Sequence, residues 1–240
     1  MRVLLTGSSG WLGRTLAPLL VEHGHRITGL DVVPGAHTDV IGTVADRALI
    51  ERVMGEHGIE AVIHGGALHK PDIVRYLRQA FVDVNVTGTL NLIEAAVAAG
   101  NDRFLFTSTT SLMVRADVRA GAGVKGAWWM DEDFAPVEPR NIYGITKLAA
   151  EQAVKLVHRE HGINVAILRT GRFFPEDDDT HATPSGENLK ANELLNRRLT
   201  VEDAAGAHLA ALRDGTDLPF AHDPDYTSPI ARQEREACMC

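Results

Sequence analysis

The chain has 240 residues, 45% of them hydrophobic and 23% charged, which suits one compact domain with a sizeable core and at most a small appended lobe. A formal charge of −8 argues against a nucleic-acid-binding face, which would need clustered Lys and Arg. The two cysteines, Cys238 and Cys240, rule out a disulfide framework, and no apolar run reaches the roughly 20 residues of a membrane span.

The first predicted element is a buried parallel strand over Arg2-Val3-Leu4-Leu5-Thr6. It stands where a signal peptide would, so a reducing, cytoplasmic setting is expected. The strand runs into Gly7-Ser8-Ser9-Gly10-Trp11-Leu12-Gly13, and the helical spacing of Leu12, Leu16, Leu19 and Leu20 follows. Pro18 sits inside this pattern, and an interior proline removes one hydrogen bond at up to about 3 kcal/mol. A strand, a glycine-rich turn and a helix start make an anion site, because the first N–H groups of the helix point at phosphate oxygens. Glycine at every third position is a variant of the dinucleotide-binding fingerprint.

Gly24 is placed to cap the first helix, and a second strand over residues 26–30 ends in Asp31. An acid about 20 residues past the glycines receives the adenosine ribose hydroxyls. Val32 and Val33 follow, with no Arg to meet a 2′-phosphate, so the cofactor reads as NAD rather than NADP. A third strand is expected over 40–44. Asp46 then caps a helix through Ile50, Val53 and Met54, closed by Gly58. A fourth strand over 60–64 leads into Gly65-Gly66-Ala67. Helices are predicted over 73–82 and 86–99, then a fifth strand over 103–107 followed by Ser108-Thr109-Thr110-Ser111.

Alternation of this kind predicts an α/β, Rossmann-type doubly wound parallel sheet that binds ligands beyond the carboxyl ends of its strands. Residues 114–139 read as a loop over the site mouth. Its Trp128-Trp129 pair serves packing or a ligand platform. A long helix over 142–161 stops at Gly162, and a sixth strand covers 163–168. Glu176-Asp177-Asp178-Asp179 reads as a solvated loop rather than a metal site. Residues 191–213 are mostly helical with a break at 199–201. The expected division is a nucleotide-binding domain over 1–170, a small substrate-side lobe over 171–218 and an irregular tail over 219–240.

Tyr143 and Lys147 open the long helix four residues apart, so their side chains share a face. A free phenol has a pKa near 10 and is a poor base at neutral pH, but a nearby ammonium favours the phenolate. Tyr143 can then exchange a proton with a substrate hydroxyl while hydride leaves or joins the same carbon. Thr109 or Ser108 can hold that oxygen in place.

With these residues in order, the chain resembles the NAD-dependent epimerase/dehydratase family, the extended short-chain dehydrogenases/reductases. The matching stretches are T-G-x-x-G-x-x-G at residues 6–13, Asp31, H-G-G-A at 64–67, N-V-x-G-T at 85–89, T-S-T-T at 107–110, Y-x-x-x-K at 143–147 and Leu168-Arg169. The resemblance implies Tyr143, Lys147 and Thr109 as the catalytic set. It implies a cofactor channel of Gly7, Ser9, Gly10, Trp11, Leu12, Gly13, Asp31, Val44, Gly65, Gly66, Ala67, Asn85 and Ser108, together with Tyr143 and Lys147. Thr109, Thr110 and Arg172 fall on the substrate side. The implied reaction is oxidation of a secondary alcohol on a sugar or nucleotide sugar. Hydride returns in an epimerase or dehydratase, NADH is released in a simple dehydrogenase, and an NAD-binding sensor without turnover is the remaining alternative. The family commonly dimerises through its two long helices. The chain departs from the family at Leu112-Met113-Val114, Thr43 and Arg172, and its carboxyl-terminal part is short.

Overall fold

The computed structural model describes residues 1–116, 130–173 and 199–213. Its centre is one six-stranded sheet in the order β3-β2-β1-β4-β5-β6, every neighbouring pair parallel. The strands are β1 (Arg2–Thr6), β2 (Arg26–Asp31), β3 (Val40–Ile41), β4 (Ala61–His64), β5 (Arg103–Thr109) and β6 (Asn164–Thr170). This is the doubly wound order with its switch point between β1 and β4.

The period-2 alternation of a strand divides the core into two layers. Leu4, Val62, Phe104 and Phe106 face α2 (Arg47–His57), α4 (Gly88–Ala98) and α5 (Ile142–His161). Val3, Leu5, Ile63 and Leu105 face α1 (Trp11–Glu22) and α6 (Val201–Arg213). Each fully buried Leu, Ile or Phe contributes about 1.5–3 kcal/mol, so a strand apolar on both faces is what this sheet requires.

The caps are where the sequence put them. The Asp46 carboxylate accepts from Leu49 N at 3.1 Å, and Gly58 and Gly162 close α2 and α5 in the left-handed conformation. α1 runs through Pro18 unbroken. The carbonyl that proline leaves without its helical donor belongs to Arg14, an exposed residue.

Four features differ from expectation. β3 spans two residues rather than five. β5 and β6 run to Thr109 and Thr170 because they pair to their ends, Ser108 opposite Arg169 and Thr109 opposite Thr170. Ser108 and Thr109 therefore lie within the strand rather than in the turn after it.

The predicted helix over 73–82 is instead a 3₁₀ turn (Lys70–Val74) and a short α3 (Arg78–Phe81). A π turn (Val82–Thr87) then feeds α4 without a break. Val74 and Leu77 are 89% and 82% exposed, so the apolar spacing there does not mark a buried face.

Finally, residues 201–213 of the expected substrate-side lobe are built into the sheet layer. Ala204, Ala205, Leu209 and Leu212 join Leu16 and Leu20 in one apolar cluster. Trp128, Trp129, the acidic run 176–179, the helix expected over 191–198, and Cys238 and Cys240 lie outside the described residues. Among the described residues, no helix is long and apolar enough to cross a membrane, and no cluster of His, Cys, Asp and Glu is arranged to hold a metal.

Candidate active site

The glycine turn after β1 leaves no room for side chains. Gly7 has φ +75°, and a Cβ there would lie 2.8 Å from Gly66 N. A Cβ on Gly13 would come within 2.2 Å of the Gly7 carbonyl oxygen. The turn is pinned to the end of β2. Ser9 N donates to Asp31 Oδ2 at 3.0 Å, Val33 N donates to Asp31 Oδ1 at 3.0 Å, and Ser9 Oγ donates to the Val33 carbonyl at 2.7 Å. Gly10, the N-cap of α1, has no side chain to occupy the first N–H groups of the helix. Leu12 is buried in the core, whereas Trp11 is half exposed with the Arg14 guanidinium 4.8 Å above its ring. A backbone cradle at a helix N-terminus beside a strand-end carboxylate fits the pyrophosphate and ribose of a dinucleotide.

A buried relay runs from this turn to the next wall of the site. Gly66 N donates to Thr6 Oγ1 at 3.1 Å. Thr6 Oγ1 lies 2.7 Å from His64 Nδ1, and His64 Nε2 lies 3.0 Å from Thr89 Oγ1. Thr89 Oγ1 donates to the Asn85 carbonyl at 2.7 Å. For a neutral ring only one polarity satisfies every link: Thr6 donates to Nδ1, and His64 donates from Nε2 to Thr89. Burial, then the Lys147 charge, holds His64 well below its usual pKa, in agreement.

Asn85 itself sits in the π turn. It accepts from Leu68 N at 2.8 Å and donates to the Leu68 carbonyl at 3.0 Å and to Thr146 Oγ1 at 3.1 Å. It thereby clamps the segment after Gly65-Gly66-Ala67 to the start of α5. Val44 is buried against Gly88, its carbonyl accepting from Asn91 Nδ2 at 3.1 Å, so its side chain serves the core.

Asn141 caps α5 by accepting from Gly144 N at 2.9 Å, which sets Tyr143 in the first turn. The Thr109 side chain acts on the Tyr143 phenol and favours its ionised form, and these are the two residues predicted to share a substrate oxygen. Burial pushes the phenol up to about 12, and Thr109 opposes that. One turn on, Lys147 Nζ donates to the Thr107 carbonyl at 2.6 Å and lies 3.9 Å from the Phe106 ring centroid. Burial pushes its ammonium down to about 7, with Glu151 pulling the other way.

Ser108 is wholly buried and donates to Glu151 Oε1 at 2.5 Å. Arg169 donates to the same carboxylate at 3.0 and 2.8 Å. Thr110 opens a 3₁₀ turn whose N-cap is Thr109. Arg172 lies past β6, and its carbonyl accepts from Leu199 N at 3.1 Å.

The sequence reading missed His69. Its partly buried ring stands 5.5 Å from that of Tyr143, centroid to centroid. The one signal in the sequence was an aromatic polar residue just past the small residues at a central strand's carboxyl end.

The glycine turn with Asp31 and the Tyr143–Lys147–Thr109 set thus stand at the carboxyl edge of one parallel sheet. Residues 3–219 match the NAD dependent epimerase/dehydratase family. The chain belongs to that family. It is 30% identical over 215 residues to a UDP-glucose 4-epimerase of Rhizobium meliloti, an alignment covering 82% of this chain and 61% of the relative. It is 29% identical over 205 residues to a 3-beta-hydroxysteroid dehydrogenase of Mycolicibacterium neoaurum, covering 80% and 53%. Its fold is similar to that of the Thermus thermophilus UDP-glucose 4-epimerase, solved in complex with NAD. That match has a TM-score of 0.71 and 24% identity, and covers 88% of this chain and 74% of that one. The chain thus spans less than two thirds of the length of the curated relatives it matches. The family is one of NAD-dependent enzymes, as the Gly7–Gly13 turn and Asp31 implied.

Proposed function

We propose that this chain binds NAD and oxidises a secondary alcohol of a sugar or nucleotide sugar, with Tyr143 as the acid/base. The observation that carries the reading is the placement of Tyr143 and Lys147 one turn apart at the start of α5, with Lys147 bonded to the Thr107 carbonyl and Thr109 at the end of the same strand. Gly7, Gly10, Gly13 and Asp31 would hold the dinucleotide, and Gly65, Gly66, Asn85 and Lys147 would line its course towards Tyr143. Bound NAD supplies a hydride acceptor and, in its oxidised form, a positive charge beside the phenol.

Thr109 and Tyr143 grip the substrate oxygen between them. As a phenol held near 12, Tyr143 is suited to give its proton to a carbonyl oxygen. In the opposite direction it takes the hydroxyl proton once positive charge stands close enough to favour the phenolate. Return of hydride to the substrate makes the enzyme an epimerase or dehydratase, and release of NADH makes it a dehydrogenase. The similarity to a steroid dehydrogenase beside an epimerase keeps the second outcome in view.

The test is incubation with NAD and a panel of UDP-sugars and uronates, following NADH absorbance and product isomers together. Turnover is expected, and Tyr143→Phe should lower kcat by about 10²–10⁴-fold while leaving NAD affinity within a few-fold. NAD binding without turnover on any substrate would instead establish a sensor, and absence of NAD binding would end the enzymatic reading.

A further inference from the structure

Helix α5 is fastened to the strand beside it at two consecutive residues of β5. Lys147 Nζ donates to the Thr107 carbonyl at 2.6 Å, and one helical turn later Glu151 accepts from Ser108 Oγ. Arg169 stands opposite Ser108 in the β5–β6 register and donates to both oxygens of the same carboxylate, from Nε to Oε1 at 3.0 Å and from Nη2 to Oε2 at 2.8 Å. Thr170 Oγ1 donates to the Ser108 carbonyl at 3.0 Å and ties the two strand ends together. A guanidinium fork and a hydroxyl together hold the carboxylate in one orientation.

Packing alone does not call for this arrangement. Glu151 and Ser108 are both buried, and taking a carboxylate out of water is strongly unfavourable unless it is paired. An apolar pair of similar volume would join helix to sheet at least as well. It would not supply negative charge beside Lys147, which Glu151 does, because residues four apart on a helix are neighbours on one face.

Lys147 is the group that needs this charge. It is 3% exposed, lies against the Phe106 ring, and is driven by burial to give up its proton. The titratable groups around it are His64 at the end of β4, His69 in the segment after that strand, and Tyr143 and Glu151 on α5 itself. Burial disfavours the charged forms of both imidazoles and of the phenol. Among the described residues, Glu151 is the carboxylate that favours the ammonium, and Arg169 on β6 is joined to that carboxylate.

We propose that Glu151, clamped by Ser108 and Arg169, is a positioning residue that keeps the Lys147 ammonium charged up to neutral pH, and so sets the pH range in which Tyr143 can take a proton from an alcohol. This inference rests on the alcohol-oxidising reading above and deepens it.

The experiment follows the ε-carbon resonances of 13C-labelled lysine against pH in the full chain, in the wild type, Glu151→Gln and the double variant Glu151→Gln/Arg169→Met. Lys147→Met identifies the signal among the five lysines. The Lys147 midpoint should fall by about one pH unit or more in Glu151→Gln. The double variant removes both charges of the buried pair and leaves neither uncompensated, so its stability in urea should recover towards that of the wild type while the Lys147 midpoint stays low. A midpoint that returned to the wild-type value together with the stability would make Glu151 a strut and overturn the proposal. An unmoved midpoint in folded Glu151→Gln would overturn it too. These midpoints are read without substrate. Turnover on no sugar or uronate would therefore end the alcohol-oxidising reading and leave the link between Glu151 and Lys147 to be decided by the titration.

Discussion

At Tyr143 and Lys147, burial moves two protons in opposite directions. It raises the phenol and lowers the ammonium, because each charged form is penalised away from water. Lys147 in the ligand-free protein therefore loses its proton near pH 7, whereas in the unfolded chain it keeps it to about 10.4. Between those values the unfolded state binds more protons, so stability rises with pH across that window. The ligand-free protein should melt at a higher temperature at pH 9 than at pH 7 on this account, and Lys147→Met should flatten the rise. An unchanged rise in the variant would assign it to another group.

Glu151 balances the same site. It is fully buried, accepts from Ser108 and Arg169, and favours the charged form of Lys147. Removing one member of a buried pair leaves the other uncompensated, so Glu151→Gln should destabilise by about 3 kcal/mol in urea unfolding. It should also lower the Lys147 pKa further. A loss under half that size would mean that solvent reaches Arg169 freely enough to replace the carboxylate.

Among the elements, the β1–α1 connection depends most on backbone. Gly13 faces the Gly7 carbonyl and Ser8, with backbone atoms inside 2.7 Å of any added Cβ. Gly13→Ala must push the glycine turn off α1. It should lose NAD affinity by more than about tenfold while the sheet, held by two independent apolar layers, stays folded. Titration alongside circular dichroism separates the two effects, and full NAD affinity in the variant would show that the turn yields without consequence.

This element and α5 were legible in the sequence because their signals are local. Glycine spacing, the Tyr–Lys interval, Asp46 and the stop at Gly162 all act within a few residues of themselves. The π turn was not legible, because the bond its Asn85 makes reaches back 17 residues to Leu68. Thr109's place inside β5 depends on Thr170, a partner that no pattern near Thr109 announces. His69 stayed hidden for the same reason, since the contact that gives it meaning spans 74 residues of chain to Tyr143. The destination of residues 201–213 was equally invisible. An Ala- and Leu-rich helical face fits a lobe as well as a sheet, and the open face beside α1 is what selects.

For the molecule as a whole, acid brings two opposing trends. The formal charge of −8 falls to zero near the sequence pI of about 5.7, so self-repulsion weakens as pH drops from 7.5 and by itself stabilises. Against it stand histidines whose burial disfavours the charged form, among them His64 and His208 on opposite faces of the sheet. His64 lies 5.5 Å from the Phe106 ring within the relay from Thr6 to Thr89. His208 on α6 lies between the Ala204 carbonyl, 2.7 Å from Nδ1, and Thr107 Oγ1, 2.8 Å from Nε2. Burial lowers both below their ordinary value of 6.5. Their contribution is complete above pH 6.5 and lost as pH falls below it, where the unfolded chain takes up protons that the folded one refuses. The histidines should outweigh the relief of repulsion, and the melting temperature should fall between pH 7.5 and 5.5. His208→Gln keeps an amide that accepts from Thr107 and donates to Ala204, so it should make that fall smaller without lowering stability at pH 7.5 by more than about 1 kcal/mol. A melting temperature that instead climbs towards pH 5.5 would mean that global repulsion governs the fold, and that neither imidazole is held neutral strongly enough to matter.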